Sequence, residues 1–205
     1  MKKNQYRELS PAVLLSPTPV VLVSCADGEH PEEKNMLTIA WAGVVNSDPP
    51  MVSVSIRKER HSHGMISGSG EFVVNLVDEA MCRATDFCGV RSGKDIDKAK
   101  ETGLGYMAAP GMKAAPAVDG APLSLSCRVK QVIPLGSHDM FIGEVVAVQA
   151  REDLMDEKGA LHLEKAGLVA YSHGLYQKLG SVIGFFGWSV ARPEAFERRM
   201  AEYKE

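Results

Sequence analysis

Between Asn35 and His63, apolar residues alternate with small or hydroxylated ones in two separate runs. Leu37, Ile39 and Trp41 alternate with Thr38, Ala40 and Ala42, and Val52, Val54 and Ile56 alternate with Ser53, Ser55 and Arg57. A period of two predicts strands near 36–42 and 51–57, joined by the Pro49-Pro50 turn, each with one apolar face. Met36 falls on the face of Thr38 and Ala40. Upstream, V-V-L-V-S-C at Val20–Cys25 is an unbroken apolar run, as a strand covered on both faces would have. Phe72–Val77 predicts another strand, and Leu123–Ile133 with Met140–Arg151 predict a long antiparallel pair around P-L-G-S-H-D.

Helical signals are fewer. Ser62 is the natural N-cap of a helix kept short by Gly64, Gly68 and Gly70. Asp78 can cap a helix running towards Phe87, with Gly89 just past its end. Ser92 and Asp95 have capping-box spacing for a helix through Lys98 and Glu101, stopped by Gly103. Residues 105–122, rich in Ala, Pro and Gly, predict an ordered loop. Pro193 suits a first helical position, and Phe196, Met200 and Tyr203 recur at helical spacing, giving a C-terminal helix over about 193–204. About six or seven strands with few helices between them predict a mainly β fold, a closed or nearly closed antiparallel barrel. No G-x-G-x-x-G is present, which argues against a doubly wound dinucleotide-binding sheet.

The length of 205 residues fits one domain. A net charge of −3, with both signs mixed along the chain, argues against a nucleic-acid binder, which needs a basic face to displace counterions. Cys25, Cys82, Cys88 and Cys127 are widely spaced without a C-x-x-C pair, so free thiols and no metal site are expected. No apolar run resembles a signal peptide or reaches bilayer length, and the expectation is a cytoplasmic protein without membrane attachment.

The second alternating run passes directly into Arg57, Lys58, Arg60, His61 and Ser62. Small side chains on a strand face leave room for a flat ring. Cations, a hydroxyl and a helix N-terminus beyond it suit a phosphate. Taken alone, a charge run is more often a solvated turn, Trp41 a core residue, and Ser53 and Ser55 part of a polar outer face.

The segments N-M-L-T-I-A-W, P-P-M-V-S-V-S-I-R-K-E-R-H-S, F-V-V-N-L-V and F-I-G-E-V, in that order over about residues 10–185, resemble the flavin reductase-like, FMN-binding split-barrel family, its flavoredoxin branch in particular. The resemblance implies non-covalent FMN in a split barrel. It assigns the strand from Asn35 through Met36, Leu37, Thr38 and Ala40 to Trp41 to the wall beside the ring. Ser53, Ser55 and Arg57 would lead from ring to phosphate, with Lys58, Arg60, His61 and Ser62 around the phosphate. The segment F-C-G-V-R-S-G-K-D-I-D-K resembles the family's closing segment, with Cys88, Gly89 and Ser92 as contacts, although a lone cysteine is usually a small hydrophobe. His138 would stand near the ring or be merely solvated, and Tyr171 and Tyr176 would border the site. No acid, base or nucleophile is assigned, because the flavin carries the chemistry. The resemblance also implies a homodimer. Where family members that use NAD(P)H often carry a G-D-H motif, this chain has S-H-G-L-Y-Q-K. Two readings follow: a flavin or ferric reductase fed by NAD(P)H, and an electron carrier fed by a redox partner protein.

Overall fold

Alternation does produce strands here, and a computed structural model describes residues 6–203. In chain order the strands are β1 (Thr18–Pro19), β2 (Val21–Ala26), β3 (Lys34–Ile39), β4 (Ala42–Ser47) and β5 (Pro50–Arg57), then helix α1 (His61–Ser69) and β6 (Glu71–Leu76). Helices α2 (Cys82–Val90) and α3 (Lys98–Thr102) follow, then the short pair β7 (Tyr106–Met107) and β8 (Ala117–Val118). The long hairpin β9 (Leu123–Pro134) and β10 (His138–Ala150) comes next, then β11 (Val169–Ser172), β12 (Leu175–Lys178) and α4 (Pro193–Met200).

Seven strands form one antiparallel sheet in the order β3-β2-β6-β9-β10-β5-β4. Its two edge strands, β3 and β4, are consecutive in the chain and separated only by Ala40 and Trp41. Such an order requires the sheet to curl until its edges approach. Trp41, in the link between the two edges, extends the β4–β5 ladder: the Ser55 amide donates to its carbonyl at 2.9 Å. The fold is therefore mainly β, a split antiparallel barrel as the alternation predicts.

Inside the curl lie Val21, Val23, Leu37, Ile39, Val54, Ile56, Phe72 and Phe141. The last two are wholly buried, and truncating either to Ala should cost about 3–5 kcal/mol. Outside it, Leu22, Met36, Val77, Met81 and Cys88 form a second layer under α2. This double cover explains why all six residues of β2 are buried and why that stretch lacks alternation.

Five expectations change. Asp78 does not cap α2, whose N-cap is Met81; its Oδ1 accepts from the Met81 amide at 3.0 Å, in the turn before the helix. The run at 36–42 is two strands broken at Ala40–Trp41, so the Pro-Pro turn joins β5 to β4. Ser62 is not the cap of α1; Arg60 holds that position without a side-chain bond. Gly89 lies inside α2 instead of beyond it. Asp97 caps α3 by accepting from the Lys100 amide, while Ser92 makes only a local turn with the Lys94 amide.

Candidate functional site

Where the barrel splits, β3, the Ala40–Trp41 link, the start of α1 and helix α2 surround a cleft of two joined compartments. One of about 300 Å³ lies towards β5 and β11, the other of about 220 Å³ towards α1 and α3. Leu37, Thr38, Arg60 and Gly89 line both.

The smaller compartment is cationic. Arg60, His61, Arg91 and Lys98 line it against a single carboxylate, Glu59, with Asn35, Ser62, Ser92 and Gly93. No side chain caps α1; the His63 amide is taken by the Arg60 carbonyl at 2.9 Å, and the His61 and Ser62 amides before it are the ones an anion could meet at this end. Ser62 is buried, and its Oγ accepts from Asn35 Nδ2 at 2.7 Å. That bond couples β3 to the helix start. A Cβ at Gly93 would stand 2.3 Å from Asn35 Oδ1, so only glycine lets the loop after α2 close this wall. Lys98 is 4% exposed and donates from Nζ to the carbonyls of Met36, at 2.8 Å, and Cys88, at 2.7 Å. An ammonium carries three donors, so one remains for a ligand. Burial, reinforced by the nearby Arg60 charge, pulls Lys98 down to about 8.

The larger compartment is lined mostly by uncharged residues, Arg57, Arg60 and Asp86 being the charged ones. Thr38 Oγ1 donates to the Thr85 carbonyl, which ties β3 to α2. Gly89 adds no side chain there; a Cβ would come within 3.1 Å of Thr38 Cβ. Trp41 stacks parallel to His138 with ring centroids 6.5 Å apart. Tyr171 meets Tyr176 edge to face at 5.5 Å, and the Tyr176 hydroxyl donates to Asp86 Oδ1 at 3.0 Å. The last bond fastens the β11–β12 hairpin across the cleft to α2.

The structure thus gathers Leu37, Thr38, Ala40, Trp41, Ser55, Arg57, Arg60, Gly89 and His138 around the larger compartment. Asn35, His61, Ser62 and Ser92 join the smaller one. Four other candidates stand apart. Met36 has no exposed surface and packs under α2 with Cys88, contributing only its carbonyl to Lys98. Cys88 is wholly buried, and burial raises its thiol above the ordinary range, so it is poorly reactive. Lys58 turns to Asp139 at 3.5 Å and lines neither compartment. Ser53 faces an adjoining apolar cavity only. Arg91, Gly93 and Lys98 were missed. All three lie within the segment read for Cys88 and Ser92, where an arginine for an anion and a glycine for close approach are available signals. Lys98 gives no such signal, since a lysine one residue past a helix cap looks solvated.

Residues 14–180 match the flavin reductase like domain. The chain belongs to this family. Among solved structures it is similar to the flavoredoxin of Desulfovibrio vulgaris (Miyazaki F), with a TM-score of 0.83 and 26% identity, covering 91% of this chain and 100% of that one. It is also similar to an FMN-binding protein from Thermus thermophilus solved with bound 1-cyclohex-2-enone, with a TM-score of 0.69 and 26% identity over 87% of this chain and 96% of that one. An NADPH-flavin oxidoreductase of Streptomyces viridifaciens is 26% identical over 178 residues, 83% of this chain and 87% of the relative. Flavin-linked redox chemistry is the function this family points to. Among the described residues no helix is long and apolar enough to cross a membrane.

Proposed function

We propose that this protein binds FMN without a covalent link in the two-compartment cleft and acts as a flavin reductase-like oxidoreductase. One observation carries the reading: a cationic compartment at an uncapped helix start adjoins a larger one lined mostly by uncharged residues. A phosphomonoester and an isoalloxazine ring differ in just this way. The donor set fits the group. Arg60, Arg91 and Lys98 supply charge to the phosphate, with α1 amides behind them. Thr38, Ala40 and Trp41 supply a wall with backbone groups for the ring rim, and Ser55 supplies a hydroxyl.

When bound, the flavin would supply hydride and single-electron transfer. The chain's own residues would hold it, limit water and set the local field. Arg57 and His138 are the polar side chains nearest in sequence register on the ring side, since they face each other across β5 and β10. Positive charge there would favour an anionic reduced ring.

A second reading has specific support: the flavoredoxin of Desulfovibrio vulgaris is similar over 91% of this chain. A flavoredoxin-type carrier would take electrons from a partner protein. Flavin absorbance in the purified protein tests the shared claim, with FMN expected to bind far more tightly than riboflavin; equal affinities would defeat the phosphate assignment. Anaerobic mixing with NADH and NADPH separates the two readings, since only a reductase bleaches. A homodimer is also part of this proposal. Near α4, Ile183, Phe186 and Val190 are exposed while Phe185 and Trp188 pack on Phe196, an apolar ridge suited to a second copy. Sedimentation over a dilution series tests it.

A further inference from the structure

One carboxylate of β10 turns into the barrel. Asp139 lies opposite Ile56 of β5, a core residue, so the two side chains share the inner face. The Asp139 side chain is 12% exposed, and a charge so placed is costly without partners. His63 Nε2 lies 2.9 Å from Asp139 Oδ2. A carboxylate only accepts, so this ring nitrogen carries the proton between them. Among the described residues Asp139 Oδ1 accepts no hydrogen bond, and Lys58 Nζ stands 3.5 Å from it. The imidazole also meets Phe141 of β10 edge to face at 5.2 Å. Neither His63 nor Asp139 lines a compartment of the cleft.

What the pair holds is the first turn of α1. Ser62, tied to Asn35 of β3, and His63, tied to Asp139 of β10, are successive residues. Their side chains therefore leave the helix about 100° apart around its axis. In the sheet, β2, β6 and β9 separate β3 from β10, so the turn is moored to two distant strands. One tie lets a helix end rock about it, whereas two at different angles fix both tilt and rotation. Arg60, at the N-cap position, adds no side-chain bond to this turn. The His61 and Ser62 amides belong to it and are the ones an anion meets in the cationic compartment. N–H bonds weaken steeply when misaligned.

We propose that His63 and Asp139 are a positioning pair for the phosphate, holding the His61 and Ser62 amides at the angle at which they donate to its oxygens. The proposal rests on the flavin reading and adds to it residues that never touch the ligand. It differs in sign from a simple field effect. Asp139 is an anion beside the first turn of α1, so a field alone would make its removal favour FMN. Loss of positioning makes the same removal disfavour FMN.

FMN and riboflavin would be titrated by flavin fluorescence into the flavin-free protein and into His63→Phe, Asp139→Leu, the double variant and His63→Gln, with a thermal melt of each. His63→Phe keeps a ring against Phe141 and loses the bond, and the double variant leaves no buried carboxylate unpaired. The ratio of FMN to riboflavin affinity should fall by about fivefold to tenfold in either single variant. In the double it should fall no further, since both changes remove one interaction. His63→Gln puts an amide nitrogen where Nε2 stood and should keep the ratio within about twofold. The melting temperature should drop in His63→Phe and recover in the double, while the ratio stays low. A ratio that is unchanged in the double variant, or that rises in Asp139→Leu, would overturn the proposal and leave the flavin reading intact. So would equal losses of FMN and riboflavin, the mark of a role confined to stability. Binding of neither flavin, or of both equally, by the unaltered protein would defeat the flavin reading and the proposal with it.

Discussion

The two ends of the cleft are built in opposite ways. At the phosphate end the key groups are buried and fixed to one another: Asn35 to Ser62, Lys98 to the Met36 and Cys88 carbonyls, Gly93 against Asn35. At the ring end the groups are exposed and held by stacking. Trp41, 48% exposed, leans on His138, and Tyr176 reaches Asp86 over the opening. A buried charge is costly unless it is paired, so the first end is incomplete without its anion. The second end gives up little by waiting empty, and it can admit different partners to the ring. The contrast implies that affinity resides at the phosphate end and reactivity at the ring end.

Lys98→Met breaks that contrast most directly. The change keeps an apolar stem of similar length and removes the ammonium. FMN binding should weaken by about 2–5 kcal/mol, the usual loss when one partner of a buried charge pair is truncated. Riboflavin, which has no phosphate, should bind as before. Equal losses for both ligands, measured by fluorescence titration, would mean that Lys98 only props the carbonyls of β3 and α2.

The same lysine gives a pH signature without flavin. Its pKa is about 8 in the fold against an ordinary 10.5. Between these values the unfolded chain holds a proton that the folded chain lacks, so stability rises with pH across this window. The gain is on the order of 3 kcal/mol at 1.36 kcal/mol per unit. Cys25 and Cys127 act in the other sense. Burial pushes both up to about 12, so stability falls as unfolded thiols ionise above about 9. Denaturant melts of the flavin-free protein and of Lys98→Met, subtracted at each pH, cancel the thiols. A flat difference from pH 8 to 10.5 would contradict the burial of the ammonium. FMN should reverse the trend for binding itself, its affinity falling as pH rises above 8.

How far the sequence reveals each end follows from the same contrast. Alternation shows β5 and the β9–β10 hairpin, and unbroken apolar runs show β2 and β6, because their neighbours cover one or both faces. It fails at Ala40–Trp41, where the parity runs on unbroken through a bend with no Gly or Pro to mark it. It fails again in β4, whose residues are almost all exposed and so carry no pattern. The exposed cation run drew attention to Lys58, which serves Asp139, and away from Lys98, whose role exists only once α3 closes on β3. Ring-end residues are easier to find, since Thr38, Ala40, Trp41 and Ser55 lie within the alternating runs of the sequence themselves.

Trp41→Ala probes the ring end. The stack on His138 is lost, and so is part of the wall shared with the neighbouring cavity. FMN and riboflavin should weaken equally, by about 0.5–1.5 kcal/mol, the usual worth of an aromatic pair. The flavin midpoint potential should move in the same variant, whereas Lys98→Met should leave it nearer the starting value. A loss confined to FMN would show that the two ends are not separable.

Lys58→Ala should have the smallest effect, and that outcome is informative. Lys58 sits between Arg57 and Arg60 in the densest cationic stretch of the chain, so by sequence it belongs with the phosphate. In the fold its Nζ lies 3.5 Å from Asp139, and the side chain is more than half exposed. Asp139 is also paired with His63 Nε2 at 2.9 Å, and that bond is the leading reason its carboxyl is held below the usual range. Removing Lys58 therefore leaves Asp139 with its stronger partner. Exposed ion pairs contribute about 0–1 kcal/mol, and the Lys58 side chain, which lines neither compartment, is open to salt screening. FMN affinity should fall by less than about twofold, and the remaining difference should vanish in high salt. A loss as large as that of Lys98→Met would show that charge density on the turn, and not the buried ammonium, holds the phosphate.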